Sequence, residues 1–248
     1  MKISFMTFAS SDWTRGPARF RRDLAEIRRR FGFFEESLVY SEKDLGVDYQ
    51  SRFSPYYSDH GFAYFSWKPY SIRQALSGVG DGDYLLYLDC GCALPMGRIG
   101  AFLDDLRRAA EKAEAEQPLM TLTTYIDRNP ALRIPNACIV KRSILDKFGL
   151  AGDRRFLFEF PHWQAGVVLV KKTQAAMDFL GRWYQFYLDN YESCVRGGYT
   201  DRRGELGCFI HNGSDQAIMQ CMLYAEKQSV SDGLNFVYGY DLIAHMLG

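Results

Sequence analysis

Between Asp83 and Asp89 the chain reads DYLLYLD, an uninterrupted apolar and aromatic run closed at each end by a carboxylate. A run this short, with no polar residue alternating through it, is what a strand buried on both faces requires. Such strands belong to sheets that helices cover from both sides. The rest of the sequence meets that demand. Strand signals at 2–8, 37–40, 119–126, 137–140 and 165–170 alternate with helical periodicity. After Gly16 and Pro17, Phe20, Leu24, Ile27 and Phe31 recur at helical spacing, and Ile99, Phe102, Leu103, Leu106 and Ala110 do so over 98–116. The pattern predicts an α/β fold, a mostly parallel central sheet with helices on both faces, in one domain over 1–248.

Finer punctuation follows from single residues. Pro69 opens a helix over 70–76 that Gly78 and Gly80 end, Thr173 caps a helix from Gln174, and Ser214 caps one through Ala225. Residues 41–61 read as a long loop, and this loop and the 191–213 connection are expected to cover the active site. The rings from Phe53 to Tyr70 (Phe53, Tyr56, Tyr57, Phe62, Tyr64, Phe65, Trp67, Tyr70) are too dense for a disordered linker. Some are expected to stack on a sugar and others to cover the sheet.

Composition narrows the function classes. A hydrophobic content of 47% supports a sizeable core, and 30 basic against 30 acidic residues give no electrostatic reason to expect nucleic acid. No export signal and no run of about 18 apolar residues is found, so the reading is cytoplasmic. The six cysteines are then expected as free thiols. Arg19, Arg21, Arg22, Arg28, Arg29 and Arg30 crowd the first helix, either as a solvated face or as a peripheral contact with anionic membrane at its inner face.

The chemistry centres on Asp89. In open α/β sheets ligands bind beyond the carboxyl ends of strands, and a carboxylate there needs a cation, a donor or a ligand hydroxyl. A turn cap at Gly91 is the plainer role for it. Lys68 reads either as a cation facing phosphate or as a surface lysine laying its stem along the protein. His211 is the best placed of the histidines, ahead of His60, His162 and His245.

YLLYLDCGCAL resembles the strand that delivers the Asp-x-Asp motif in GT-A glycosyltransferases, with Asp89 at the first carboxylate and Gly91 at the second. WQAGVVLVKKT is similar to that group's Asn-Ala-Gly strand, with Gln164 at the Asn position. SDQAIMQCML resembles the Asp-Gln helix start of retaining family 8 enzymes, and LNFVYG their Asn-Phe segment. GFAYFSWKPYSIRQAL, through its Trp-Lys-Pro, resembles a motif of bacterial capsule and envelope polysaccharide glycosyltransferases.

The resemblance implies a GT-A, Rossmann-like fold and a transferase that moves sugar from a nucleotide-sugar donor, a UDP-sugar, to a glycan or lipid-linked acceptor, with retention. It implies catalytic roles for Asp89, Asp215 and Gln216. Donor contacts would come from Thr7, Phe8, Ala9, Lys68, Gly91, Gln164 and His211, and Mn2+ or Mg2+ would be held through Asp89. An inverting reaction would use Asp215 or Glu159 as base. Two other readings stay open: a glycan-binding scaffold that has lost activity, and a hydrolase pairing Asp89 with Asp215.

Overall fold

The computed structural model describes residues 1–11, 13, 15–124, 134–197 and 199–232. The resemblance of 234–239, the end of the expected 119–126 strand, and His245 lie outside the described residues. In chain order the elements are β1 (Ile3–Phe8), α1 (Arg15–Phe31), β2 (Ser37–Tyr40), α2 (Val47–Phe53), the short turn α3 (His60–Tyr64), α4 (Trp67–Gly78), β3 (Tyr84–Leu88) and α5 (Ile99–Glu116). They continue with β4 (Met120–Thr124), α6 (Arg142–Lys147), α7 (Arg154–Phe158), β5 (Trp163–Lys171), α8 (Gln174–Asn190), α9 (Ser214–Ala225) and β6 (Val230–Asp232).

The strands form one sheet in the order β2-β1-β3-β5-β4-β6. β1 runs parallel to β2 and β3, and β4 parallel to β6, whereas β5 is antiparallel to both neighbours. Mostly parallel is therefore right, and the single reversed strand has a consequence for the site. It brings the beginning of β5 to the sheet edge where β1 and β3 end.

Every residue of β3 is buried, as its unbroken apolar run demands. Tyr84, Leu86 and Leu88 point to one face, under Phe20, Leu24 and Ile27 of α1 and Phe102 and Leu106 of α5. Leu85 and Tyr87 point to the other, under Ile72 and Leu76 of α4, Phe179 and Trp183 of α8, and Ile218 and Met222 of α9. Opposite β4 the pairing of β5 shifts register between Leu122 and Thr123, so 165–167 bulge out of the ladder.

Several local expectations change. Residues 137–140 are not a strand. A turn at Asn136–Cys138 closes its own hydrogen bonds (Cys138 N to Pro135 O, 2.9 Å; Val140 N to Asn136 O, 3.0 Å). The outward carbonyls of Cys138 and Ile139 then take the N–H groups of Ile210 (2.7 Å) and Gly213 (2.6 Å), anchoring the chain before α9. The expected 41–61 loop holds a capping-box turn at Glu42–Asp44 and helix α2, whose Tyr49 and Phe53 are fully buried one turn apart.

Thr173 does cap α8, accepting from Ala176 N at 3.1 Å. Ser214 does not cap α9: it sits inside the first turn at φ +50°, and its N–H is taken by Asn212 Oδ1 at 3.2 Å. At Gly213 a Cβ would come within 3.2 Å of Ile139 O, a tight contact at this corner.

Segment α3 is unusual. Gly61, Phe62, Ala63, Tyr64 and Phe65 all have φ between +49° and +63°, a left-handed turn of mostly non-glycine residues. Each such residue costs about 1–2 kcal/mol, so packing must hold it: Ala63 is fully buried and Trp67 Nε1 donates to Gly61 O at 3.2 Å.

Candidate functional site

The chain leaves β3 through Asp89, whose N–H donates to Gly166 O (2.9 Å) in the β5 bulge. Arg19 of α1 turns inward here, giving its guanidinium to the carbonyls of Cys90 (3.0 Å) and Cys92. It is a clamp on the loop after β3 and does not belong to the solvated arginine face.

Lys68, in the first turn of α4, is neither exposed nor free to reach a phosphate. Its side chain is 2% exposed, with Nζ 2.6 Å from Asp215 Oδ2, 3.0 Å from Asp89 Oδ1 and 3.3 Å from Ala165 O. The two carboxylate contacts are ion pairs, and the third is a hydrogen bond donated to the Ala165 carbonyl. The rings of Phe65, Trp67 and Tyr87 stand 5.4–5.8 Å from the charge. Burial works against the charged lysine, but the carboxylates of Asp215 and Asp89 outweigh it, so its pKa lies above the ordinary value. Burial, partly offset by Lys68 and reinforced by Asp89, holds the Asp215 carboxyl above the usual carboxylate range.

Two carboxylates thus share one ammonium. Asp89 Oδ1 also accepts from the Tyr87 hydroxyl, and Asp89 remains partly open to the cavity with a 23% exposed side chain. Next to Asp215, Gln216 accepts through Oε1 from Ala165 N–H (3.2 Å) and meets His162 Nε2 through its amide nitrogen.

These groups form one wall of a cavity of about 710 Å3, within the roughly 300–1,000 Å3 usual for small-molecule sites. Of the residues singled out in the sequence, Phe8, Ala9, Lys68, Asp89, Gly91, His211, Asp215 and Gln216 line it. Thr7 and Gln164 do not. Thr7 is fully buried, one residue out of phase with Phe8 on β1, and Gln164 is buried in β5 opposite Thr123. Glu159 is not among the lining residues either.

The aromatic cluster divides between cavity and core. Tyr57, Phe62, Phe65 and Trp67 line the cavity, with Phe8 stacked on Trp67 at 3.9 Å and Tyr57 on Phe62 at 4.0 Å, while Tyr49 and Phe53 belong to the core. Both covering segments reach the cavity, and His60 and Tyr199 meet across it at 4.1 Å.

His162 and His60 also line the cavity, neither favoured by position in the sequence. Burial, with His211 contributing, lowers the pKa of His162 to about 4 and that of His60 less far; burial alone lowers His211. The signal for His162 was its place directly before β5, legible only once β5 is known to run backwards.

Among the described residues, the donor set around Asp89 does not suit a divalent cation. Among the described residues no group of three or more His, Cys, Asp or Glu side chains converges on a metal position. Gly91 supplies no second carboxylate, and the Lys68 ammonium already lies 3.0 Å from Asp89. A hard cation wanting about six oxygens would compete with that fixed charge.

No protein-family model matches the sequence, and no curated protein matches it. Among solved structures, the chain is similar in outline to several glycosyltransferases. Mouse xyloside xylosyltransferase 1 overlaps 94% of this chain and 85% of its own at 10% identity, TM-score 0.47. A glycosyltransferase involved in glycosylation of the major capsid of PBCV-1 overlaps 94% and 82% at 10% identity, TM-score 0.45. The galactosyltransferase LgtC, solved with donor and acceptor sugar analogues, overlaps 92% and 72% at 10% identity, TM-score 0.44. Overlaps this loose do not assign chemistry to this chain, and its site is read from its own side chains.

Proposed function

We propose that this chain transfers a sugar from a nucleotide-sugar donor, a UDP-sugar, to a glycan or lipid-linked acceptor. The observation that carries the reading is the meeting of Asp89 from a strand end and Asp215 and Gln216 from a helix start in one cavity that stacked rings also line. The volume accommodates a nucleotide sugar, with rings to take the face of a base or sugar and carboxylates to accept from sugar hydroxyls.

In this reading Asp89 accepts from a sugar hydroxyl, Gln216 addresses the reacting face, and Lys68 holds both carboxylates in place rather than touching the diphosphate. Retention rests on the resemblance of the Asp-Gln helix start to retaining enzymes. Asp215 makes a poor general base because Lys68 holds it, and Glu159 is not among the residues that line the cavity. A hydrolase is disfavoured for a related reason: two acids drawn onto one ammonium cannot flank a glycosidic bond.

A second reading, a non-catalytic glycan-binding scaffold, has one observation in its favour: the Lys68 cation is consumed inside the protein. Release of nucleoside diphosphate from UDP-, GDP-, CDP- and dTDP-sugars, with and without glycan acceptors, decides between them. No turnover with glycan binding intact establishes the scaffold; no turnover and no thermal shift with any nucleotide or glycan ends both readings.

No helix among the described residues is long and apolar enough to cross a membrane. Arg21, Arg22, Arg28, Arg29 and Arg30 are exposed on α1. Placement in the cytoplasm against an anionic inner leaflet, near a lipid-linked acceptor, follows as part of this proposal. Sedimentation with phosphatidylserine vesicles, absent with phosphatidylcholine alone, is its test.

A further inference from the structure

The polarity of the Gln216 amide is not ambiguous, because backbone groups fix the hydrogen-bond chain it belongs to at both ends. At one end Ala165 N–H can only donate, so the Gln216 atom 3.2 Å away is the carbonyl oxygen. The amide nitrogen therefore meets His162 Nε2, and since an amide NH2 only donates, that ring nitrogen must be the acceptor.

At the other end Asn136 is 1% exposed and places Nδ2 against two carbonyls, Phe156 O at 3.0 Å and Phe160 O at 3.3 Å. Carbonyls only accept, so Asn136 Oδ1 faces His162 Nδ1, 3.2 Å away, and that ring nitrogen must carry the proton. The two halves agree on a single state: a neutral imidazole with its proton on Nδ1. Neither amide can rotate to accommodate another, because rotation would set N–H against N–H at Ala165 or oxygen against oxygen at Phe156 and Phe160.

The geometry points to Asn136 and His162 as positioning residues for the proposed transfer, holding Gln216 so that it offers the cavity an amide N–H on one side and a carbonyl lone pair on the other. They act through Gln216, and the inference rests on the reading of the cavity as a glycosyl-transfer site only for its effect on rate. The tautomer stands on the structure alone.

Protonating His162 would put Nε2–H against the amide nitrogen of Gln216, breaking the chain where it meets the site. The neighbours described do not favour that proton. His211 bears on His162 as a second imidazole whose own pKa burial lowers, and Asp215 beside Gln216 is committed to Lys68. The turn that carries Asn136 contributes Cys138, whose thiol burial pushes up to about 11.

The test has two arms on the full chain. In long-range proton–nitrogen spectra of the 15N-labelled protein, with His162 assigned among the 4 histidines by its loss in His162→Gln, the proton is expected on Nδ1 and unchanged from pH 8 to pH 5. A proton on Nε2, or a titration midpoint near the ordinary histidine value, overturns the inference. Asn136→Asp, which sets a carboxylate beside Nδ1, is expected to move the midpoint upward; an unmoved midpoint in a folded variant counts against the chain.

In the second arm, nucleoside diphosphate release is followed with UDP-glucose and UDP-galactose. His162→Ala is expected to lower kcat at least tenfold with KM within threefold. His162→Gln, whose amide oxygen replaces the Nε2 acceptor, is expected to restore most of the rate and flatten the acid limb of the pH profile. An unimpaired His162→Ala, or a folded His162→Gln as poor as alanine, overturns the positioning role. If the wild type releases no diphosphate, the proposed function fails, and the spectral arm still decides the tautomer.

Discussion

Replacing Lys68 by methionine keeps an unbranched side chain one atom shorter and removes the charge that Asp89 and Asp215 share. Two carboxylates would remain against each other, but unequally exposed: the Asp89 side chain is 23% open to the cavity and can hydrate, whereas that of Asp215 is 8% exposed. Breaking a buried pair by removing one partner costs about 3–5 kcal/mol. Because Asp89 can recover water, the expected loss lies near the lower end, roughly 3 kcal/mol.

The loss should depend on pH. Lys68 has its pKa raised in the fold, so its contribution is fully present below the unfolded value of 10.5 and constant between pH 5 and 7 in the wild type. Asp215 has its pKa raised too, so its ionisation weakens the fold, and that penalty fades as pH falls through the folded pKa toward the unfolded one. Without Lys68 the folded pKa of Asp215 rises further, and the variant's deficit is expected to shrink from pH 7 to pH 5. Urea denaturation of both proteins at the two pH values measures this. A deficit under about 1 kcal/mol at pH 7, or one unchanged at pH 5, would refute the account of Lys68 as the buried counter-ion of the site.

Asp89→Asn retains an acceptor for Lys68 and Tyr87 while removing the charge that faces the cavity. It is expected to lower turnover more than tenfold, with a change in Tm of no more than about 4 °C, read by diphosphate release and calorimetry. Because the donor set does not suit a divalent cation, turnover in excess EDTA is expected within twofold of that with Mn2+ or Mg2+; complete loss in chelator would show that a cation enters despite Lys68. In the left-handed turn, Ala63→Gly relieves about 1 kcal/mol of backbone cost and deletes one buried methyl worth about 0.8 kcal/mol, so near-neutral stability is expected. Ala63→Val adds a β-branched side chain at positive φ and should destabilise by about 1–3 kcal/mol; denaturation of the pair checks both.

The sheet and its covering helices were legible because their signals are local. DYLLYLD could only be a doubly buried strand, and the periodicity of Phe20, Leu24 and Ile27 could only be one helix face. The reversal of β5 was not legible, since WQAGVVLVK has the same composition in either direction. With it went the placement of His162 and of the Ala165 backbone. Residues 137–140 read as a strand because Ala137, Ile139 and Val140 are apolar; in the fold the N–H groups of Cys138, Ile139 and Val140 are taken by Pro135 and Asn136 carbonyls within the turn, which no propensity encodes. Asp89 was singled out from its strand-end position, where chain direction tells which end faces a ligand, whereas Asp215 and Gln216 were singled out through the resemblance of SDQAIMQCML to an Asp-Gln helix start. Lys68 was found, but its role was not: a lysine after Trp67 gives no sign that two distant aspartates will enclose it.

Since β5 enters the sheet between β3 and β4, a nascent chain that has emerged only as far as residue 162 carries two unpaired edges where the finished protein has none. Each would be an open template for another chain. The nine-residue β5 seals both at once, so fragments ending before it should aggregate, and conditions that slow its insertion should lower the yield of refolded protein long before they affect the stability of the folded form.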